Sequence, residues 1–173
     1  MVVENDALLI NRLQKNDHNA FRELADRYTE RLRMAAGKIL GDHTQAADVV
    51  QETFLAFFRT AGSFRGQSGI FTYLYRITVN KAIDIIRKKN REKKFYFLPQ
   101  AREEHTDVSI VVREALGRLP DNQRLPLIMA EIDRLSYEKI AAELALPVNT
   151  VRTRIFRARK KLYNILLQMG VTL

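Results

Sequence analysis

Hydrophobic residues recur with the 3.6-residue period of an α-helix along almost the whole chain. The clearest stripe runs from residue 21 to residue 39 and would form one buried helix face. Its members are Phe21, Leu24, Ala25, Tyr28, Leu32, Ala35 and Ile39. Asp17 precedes this helix as a candidate N-cap, and Gly41 follows it as a candidate stop.

A second helix is predicted to start near Thr44, with one apolar stripe facing the core. The stripe contains Val50, Phe54, Phe57, Phe58 and Ala61. Glycines at positions 62, 66 and 69 then indicate an irregular loop, and a third helix is predicted from Phe71 to about Lys89. Because no stretch alternates apolar and polar residues with a sustained period of two, the pattern predicts an all-α fold.

The composition changes after this third helix. Residues 87–94 are mostly charged, and residues 99–107 are polar without a clear period. Such a stretch is typical of a linker between domains. We therefore predict two small helical domains, residues 1–94 and residues 108–173, joined by a flexible linker over residues 95–107.

The second domain contains a helix-turn-helix pattern. Residues 135–144 predict a short helix capped by Ser136, and residues 145–147 predict a tight turn whose proline suits the start of the next helix. That next helix, residues 148–162, has an apolar stripe that would pack on the short helix. The stripe is Val151, Ile155, Ala158 and Leu162, and it would face Ile140, Ala141 and Leu144.

The opposite side of the long helix is cationic or neutral, since no acidic residue follows Glu143. Such a face suits the major groove of DNA, where arginine bonds guanine edges and other cations neutralise phosphates. A surface helix with solvated cations is the alternative interpretation, but the capped helix, the turn and the apolar stripe together favour DNA binding. The candidate DNA-binding residues are Arg152, Thr153, Arg154, Phe156, Arg157, Arg159 and Lys160.

Composition narrows the functional class. The chain has 29 Lys and Arg against 20 Asp and Glu, a formal net charge of +9, which favours nucleic acid or an acidic membrane surface as a partner. The absence of cysteine excludes disulfides and thiol chemistry. The N-terminus does not resemble a secretory signal, and no apolar run is long enough to cross a bilayer. We therefore expect a cytoplasmic protein.

Taken together, these motifs resemble the extracytoplasmic-function (ECF) sigma factors of the sigma-70 family. Residues 135–159, preceded by residues 116–120, resemble region 4 of that family, which recognises the minus-thirty-five promoter element. Residues 48–54 resemble region 2.2, residues 64–68 resemble region 2.3 and residues 72–80 resemble region 2.4. The matches occur in the order of the family and extend over nearly the whole chain.

The resemblance implies an alternative sigma factor, a non-catalytic subunit that directs core RNA polymerase to chosen promoters. Its implied partners are promoter DNA and core polymerase, the latter through the β′ clamp helices and the β flap. The implied polymerase-binding residues share the helix face opposite the core stripe, and they are Asp48, Gln51, Glu52, Leu55 and Arg59. Without the family, a solvated acidic face would be the default interpretation.

Regions 2.3 and 2.4 imply recognition and melting of the minus-ten promoter element. Base capture needs a pocket or stacking surface for an extruded base, together with cations along the strand. The implied minus-ten residues are Phe64, Arg65, Gln67, Ser68, Phe71, Tyr73, Tyr75, Arg76, Asn80, Asp84 and Arg87. Core packing is an alternative role for the two tyrosines. The chain departs from the family at Tyr73, where Trp is frequent, and at Ala145, where Gly is frequent.

The resemblance also implies an inhibitory anti-sigma factor, which in this family can be anchored in the membrane. We expect no cofactor, metal site, small-molecule substrate or catalysis. The three histidines lack metal-ligand spacing, and there is no nucleophile elbow or phosphate-binding glycine loop.

Two functional alternatives stay open at this point. One is a helix-turn-helix transcription regulator that acts on duplex DNA without being a polymerase subunit, and the other is a nucleic-acid-processing enzyme that docks through these helices. A further question concerns the apolar residues 95–98. They would either dock on a folded domain or partner, or extend the preceding helix.

Overall fold

In a computed structural model of the chain, residues 3–64, 69–96 and 108–171 are described. The N-terminal unit consists of α1 (Val3–Gln14), α2 (His18–Leu40), α3 (His43–Thr60), a 3-10 turn (Ala61–Ser63) and α4 (Ile70–Tyr96). The C-terminal unit consists of α5 (Val108–Gly117), α6 (Asp121–Glu131), α7 (Tyr137–Leu144) and α8 (Val148–Gln168). The described residues contain no strand, which confirms the all-α prediction.

Both predicted ends of α2 are confirmed. The Asp17 carboxylate accepts hydrogen bonds from the backbone N–H groups of Asn19 at 2.8 Å and Ala20 at 3.3 Å, as an N-cap does. Gly41 ends the helix with a φ of 70°, in the left-handed region that favours glycine.

The N-terminal unit is a bundle in which α2, α3 and α4 bury their apolar stripes against one another. Leu24, Phe57 and Leu74 are each at most 1% exposed in this core, and burial of such side chains stabilises the fold by roughly 1.5–3 kcal/mol each. The hydroxyls of Thr53 and Thr78 are buried in the same core and lie 3.1 Å apart, close enough for one to donate to the other between α3 and α4.

Phe58 does not lie on the buried stripe of α3, so that part of the prediction is wrong. Its side chain is 43% exposed, whereas that of Phe57 is 1% exposed. Consecutive residues of an α-helix point about 100° apart, so only one of the pair can face the core. Phe58 instead packs on the edge of the bundle, with its ring centroid 4.5 Å from that of Phe21.

The helix that was expected to end near Lys89 continues to Tyr96. The charged run is built largely from Arg, Lys and Glu, which are good helix formers, and Lys88 and Glu92 face each other one turn apart. Residues 95 and 96 therefore belong to α4, in line with the helix-extension interpretation. Residues 97–107, and with them the docking hypothesis and most of the predicted linker, lie outside the described residues.

The two units pack against each other through α4. The buried apolar residues of both units form one continuous cluster, in which Ile83 and Ile86 of α4 join Ala115 and Leu119 of the C-terminal unit. Gly117 permits this approach, since a Cβ there would lie 3.1 Å from atoms of Ile83. The amino-acid pattern predicts both units but gives no indication of this contact.

Candidate nucleic-acid interface

The helix-turn-helix has the predicted local geometry. The Ser136 hydroxyl accepts a hydrogen bond from the N–H of Lys139 and caps α7. Ala145 ends α7 in the left-handed region, with a φ of 51° and its N–H directed at the last carbonyls of the helix. This is the position where the family often has glycine, and the alanine adopts the backbone conformation that glycine favours.

The apolar stripe of α8 fixes which side of the helix faces outward. Val151, Ile155 and Ala158 are fully buried, and Ile140 of α7 lies in the same core. The predicted packing of α8 on α7 is therefore confirmed, and the opposite side of α8 is left to solvent.

The outward side of α8 presents cations around one large apolar side chain. Phe156 is 67% exposed, so its ring lies open among the cations of this side. The exposed members of the predicted set are Arg152, Thr153, Phe156, Arg157, Arg159 and Lys160, and Arg154 is half-buried. The Thr153 hydroxyl donates to the carbonyl of Asn149 one turn earlier, at 2.9 Å.

One of these cations is paired within the C-terminal unit. Arg159 binds the Glu131 carboxylate of α6, with Nε to Oε1 at 3.0 Å, and this bond raises the pKa of the guanidinium. Prediction from the sequence missed Asn149, an exposed polar residue in the first turn of α8. Its position in the first turn of the predicted helix could have indicated it, because the N-terminal residues of a recognition helix are those that contact base edges.

The predicted reading face of α4 has different surroundings. Arg76 and Asp84 are exposed, but the Asn80 amide is held by the C-terminal unit. Its Nδ2 donates to Asp121 at 3.1 Å, and its Oδ1 accepts from Arg124 at 2.7 Å. Both partners lie on α6, so no pattern in the sequence of α4 could reveal them.

Arg87 lies at the other end of this face. Its guanidinium donates to the carbonyl of Gly117 and pairs with Asp84 one turn earlier, at 3.3 Å. Asn80 and Arg87 are therefore both hydrogen-bonded to the C-terminal unit in this arrangement.

The aromatic residues predicted for base capture lie in or beside the core. Phe64 and Tyr73 have ring centroids 5.0 Å apart, with Phe64 buried and Tyr73 half-buried. Phe71 is buried beneath the Arg31 guanidinium, whose carbon lies 3.6 Å from the ring centroid. Arg65, Gln67 and Ser68 lie outside the described residues, so the structure places only part of the predicted pocket.

Tyr75 is also buried, and its hydroxyl donates to the carboxylate of Asp133. Burial, together with the neighbouring carboxylate, raises the pKa of the phenol well above its ordinary range. The ring therefore packs in the core, which is the alternative role that the sequence left open for this tyrosine.

The predicted polymerase-binding face of α3 is open. All of its members, Asp48, Gln51, Glu52, Leu55 and Arg59, are exposed. Leu55 is 55% exposed, and Glu52 pairs with Lys81 of α4 at 2.8 Å. The exposed ring of Phe58, which the sequence pattern assigned to the core, lies on the same helix and adds apolar surface.

The described residues contain no group of three or more His, Asp or Glu side chains placed to hold a metal ion. Within the same ranges, no helix is both long enough and apolar enough to cross a membrane.

The fold and this surface define a helical nucleic-acid-binding protein with a helix-turn-helix in its C-terminal unit. The family model for sigma-70 region 2 matches residues 24–92, and the model for sigma-70 region 4 matches residues 109–162. Each match lies within one of the two units of the structure.

Relatives of known name extend the match. The ECF RNA polymerase sigma-E factor of Escherichia coli strain K12 is 36% identical over 180 residues, covering 92% of this chain and 93% of its own length. The RNA polymerase sigma-H factor of Pseudomonas aeruginosa is 32% identical over 176 residues, covering 91% of each chain. Among solved structures, CnrH in complex with the cytosolic domain of CnrY is 29% identical, with a TM-score of 0.56, and the match covers 93% of this chain and 96% of CnrH.

The chain therefore belongs to the ECF sigma factors of the sigma-70 family, and it is an alternative sigma factor. This confirms the resemblance. The alternative of a regulator that is not a polymerase subunit is not favoured, because region 2 as well as region 4 is matched.

Proposed function

We propose that this chain binds core RNA polymerase through the exposed face of α3 and recognises a promoter with α8 and α4. In this proposal α8 contacts the minus-thirty-five element and α4 contacts the minus-ten element. The observation that carries the proposal is the outward side of α8, where exposed cations surround Phe156 and no acidic residue occurs from position 144 onward.

The chemistry of α8 supports base recognition as well as charge attraction. Arg152 and Arg157 can each form two hydrogen bonds to a guanine edge, and Thr153 and Phe156 can contact thymine methyl groups. The other cations would neutralise phosphates, which contributes affinity without sequence preference. Residues that orient the helix and residues that read bases are thus both present.

On α4, Asn80 is the candidate for base recognition, since its amide can both donate to and accept from a base. Arg76 and Arg87 would contact the backbone beside it. Strand opening would then use binding energy alone, because captured single-stranded bases offset the stacking lost from the duplex. The proposal accordingly includes no catalytic step, and it places the protein in the cytoplasm, where RNA polymerase acts.

The exposed face of α3 supports the contact with polymerase. Leu55 is surrounded by polar and charged side chains, a composition that suits a protein interface better than a nucleic-acid interface. The proposed docking sites on polymerase are the β′ clamp helices for α3 and the β flap for the C-terminal unit.

We also propose that an anti-sigma factor controls this chain. CnrH, which matches over most of the chain, was solved with the cytosolic domain of CnrY. An inhibitor of this kind would cover the polymerase-binding face of α3 or clamp the two units together.

Run-off transcription tests the central proposal. Purified chain is added to core polymerase on fragmented genomic DNA, and the start sites are mapped. We expect transcripts that depend on the chain and share two upstream elements. A chain that binds duplex promoters but supports no initiation would instead be a regulator, and a chain that does not associate with core polymerase would refute the proposal.

The polymerase contact has its own test. Leu55→Asp places a charge in the centre of the proposed interface and should weaken binding to core enzyme by at least about tenfold, as loss of an apolar anchor does at interfaces. Leu8→Asp is the matched control, because Leu8 is also exposed but lies on α1. Equal affinities for the two variants would remove α3 from the proposed interface.

A further inference from the structure

The C-terminal end of α1 contacts the backbone of Phe64, one of the residues implied in base capture. Gln14 is the last residue of α1, and its Nε2 donates to the Phe64 carbonyl at 2.8 Å. The two residues are 50 positions apart along the chain, so the pattern of neither segment indicates this contact. Phe64 directly follows the 3-10 turn and directly precedes Arg65, the next implied minus-ten residue.

Other contacts hold the remaining groups of Phe64. Its N–H donates to the carbonyl of Ala61 at 3.2 Å, at the end of the 3-10 turn. Its ring is 8% exposed and packs on Phe57, with the two ring centroids 5.8 Å apart. The N–H, the carbonyl and the ring of Phe64 are thus held by three different residues, and of these three Gln14 is the one on α1.

Phe64 in turn supports the ring of Tyr73 at the start of α4. The centroids of these two rings are 5.0 Å apart, and the Tyr73 ring also lies 5.9 Å from that of Phe57. Tyr73 is half-buried, so part of its ring stays open to solvent. A partly open aromatic ring on an apolar support offers a surface on which a base can stack. Because a ring moves with the backbone that carries it, a shift of Phe64 would also shift the support of Tyr73.

The last turn of α1 is itself fixed to α2. The Arg12 guanidinium donates to Asp17 at 2.8 Å and to Glu23 at 2.9 Å, and Asp17 is the N-cap of α2. Leu13 is 1% exposed and packs in the core of the N-terminal unit. A side chain that positions another group must itself be held by its surroundings, and the end of α1 meets this requirement.

We propose that Gln14 is a positioning residue for base capture. Its hydrogen bond fixes the Phe64 carbonyl, and through it the Phe64 ring beside Tyr73, where an extruded base of the minus-ten strand stacks. Gln14 itself contacts no base. This inference rests on the proposed function, because it takes Phe64 and Tyr73 to belong to the surface that captures the base.

A positioning role differs from a role in stability by what it changes. Loss of one hydrogen bond between neutral groups has a modest effect, so a chain without the Gln14 amide should still fold and bind the strand. Only the stacking of the captured base depends on the placement of Phe64. Contacts between cations and the phosphates of the strand do not involve Phe64 and should stay unchanged.

Binding of a single strand to the holoenzyme tests the inference. The chain is combined with core RNA polymerase, and the probe is a fluorescent single strand that carries the minus-ten sequence of a promoter mapped by run-off transcription. An abasic site replaces each nucleotide of the element in turn, and the position with the largest loss identifies the captured base. The measured quantity is the ratio of the affinity for the intact strand to the affinity for the strand that lacks this base.

Gln14→Met removes the amide donor and keeps an uncharged side chain of similar length. We expect it to lower the affinity ratio by roughly threefold to tenfold, the effect of one hydrogen bond, with unchanged binding of the abasic strand. Gln14→Lys keeps a donor and should restore the ratio, since its added charge acts on both strands and cancels. Asn11→Leu is the matched control, because it removes an exposed amide from the same helix, and it should leave the ratio unchanged.

The possible failures of this experiment are distinguishable. A wild-type ratio in Gln14→Met would overturn the inference alone. Equal losses for the intact and the abasic strand would also overturn it, since they would assign Gln14 to the stability of the N-terminal unit. A wild-type holoenzyme that binds every abasic strand as tightly as the intact strand would refute base capture in the proposed function, and the inference with it.

A double-mutant cycle tests whether Gln14 acts through the two rings. Tyr73→Leu removes the stacking ring and keeps an apolar side chain beside Phe64. Because the proposed effect of Gln14 passes through the ring of Tyr73, Gln14→Met should lower the affinity ratio no further in the Tyr73→Leu background. A fall of the same size in both backgrounds would show that the two residues act independently and would overturn the inference.

Discussion

The outward side of α8 and the reading face of α4 carry similar chemistry in different surroundings. Both present arginines and a polar side chain at helical spacing. On α8 these groups face solvent, and Phe156 among them is 67% exposed. On α4, Asn80 and Arg87 are hydrogen-bonded to the C-terminal unit. A helix can therefore have the composition of a nucleic-acid surface and still be occupied by its own chain.

The difference follows from where each helix lies in the fold. The single buried stripe of α8 packs within its own unit, so its other side stays open. By contrast, α4 is the element on which both units meet, and several of its sides are covered. In this arrangement the outward side of α8 is open, whereas part of the predicted reading face of α4 is covered by the C-terminal unit.

The largest expected effect tests which side of α8 is buried. Ile155→Ala removes a fully buried side chain and should lower the free energy of unfolding by about 2–5 kcal/mol, because the cavity lies where α8 packs in the C-terminal unit. The neighbouring Phe156→Ala should change stability by at most about 0.5 kcal/mol but weaken promoter binding. Denaturant unfolding and DNA titration measure the two, and equal destabilisation by both changes would contradict the orientation of α8.

Arg157→Ala should weaken binding of the minus-thirty-five element by roughly 1–3 kcal/mol, the cost of losing a bidentate base contact. Lys161→Ala is the control, since it removes the same charge one turn further along α8. We expect the control to weaken all sequences equally through the loss of a phosphate contact. Titration of wild-type and base-substituted promoter fragments distinguishes the two, and an unchanged sequence preference would remove Arg157 from the base-reading set.

Asn80→Ala tests whether α4 contacts a base. Loss of its hydrogen bonds to a base should weaken binding of the opened strand by on the order of 1 kcal/mol and should lower opening-dependent transcription accordingly. The affinity for core polymerase should stay unchanged. Asn90→Ala also removes a hydrogen bond to the C-terminal unit, but Asn90 is not in the predicted reading set. Permanganate footprinting of the open promoter measures the effect, and equal losses of opening and of polymerase binding would indicate a folding role for Asn80.

The contact between Tyr75 and Asp133 predicts a dependence on alkaline pH. The pKa of Tyr75 is raised in the folded chain, so its contribution to stability is present below the ordinary tyrosine pKa of about 10 and is lost as the pH rises through the raised value. Tyr75→Phe keeps the buried ring and removes the hydroxyl, and it should flatten this loss. Thermal unfolding between pH 8 and the alkaline limit measures it, with Tyr163→Phe, an exposed position, as control. An alkaline loss that is as large in Tyr75→Phe as in the wild type would assign it to other groups.

The smallest expected effect concerns Arg159 of α8, which pairs with Glu131 of α6. Glu131→Gln removes the exposed partner of Arg159 and should change stability by at most about 1 kcal/mol. It should also make the dependence of DNA affinity on salt concentration slightly steeper, because a released Arg159 can contact one more phosphate. An unaltered salt slope would show that Arg159 remains held even without Glu131.

The local sequence pattern was sufficient to predict much of the fold and the outward side of α8. The caps at Asp17 and Ser136 and the buried stripe of α8 depend on residues within a few positions of each other, so the sequence reveals them. Phe58 was assigned to the wrong side of α3, because two adjacent aromatic residues fit the same apolar count and only packing decides which one is buried. Asn149 was missed although its position in the first turn of α8 was visible.

By itself the sequence determined that this protein is all-helical, that it has the ordered regions of an ECF sigma factor, and that one helix turns a cationic side outward. The helical content and the outward cationic side follow from side chains spaced along a single helix or within one turn, and the family follows from the resemblance of motifs that lie in order along the chain. Only the tertiary structure decided that Asn80 meets Asp121 and Arg124, and that Tyr75 is buried against Asp133. Those partners lie more than 40 positions away along the chain. Their contact depends on how the two units pack, and the hydrophobic pattern of each unit accounts only for that unit's own core.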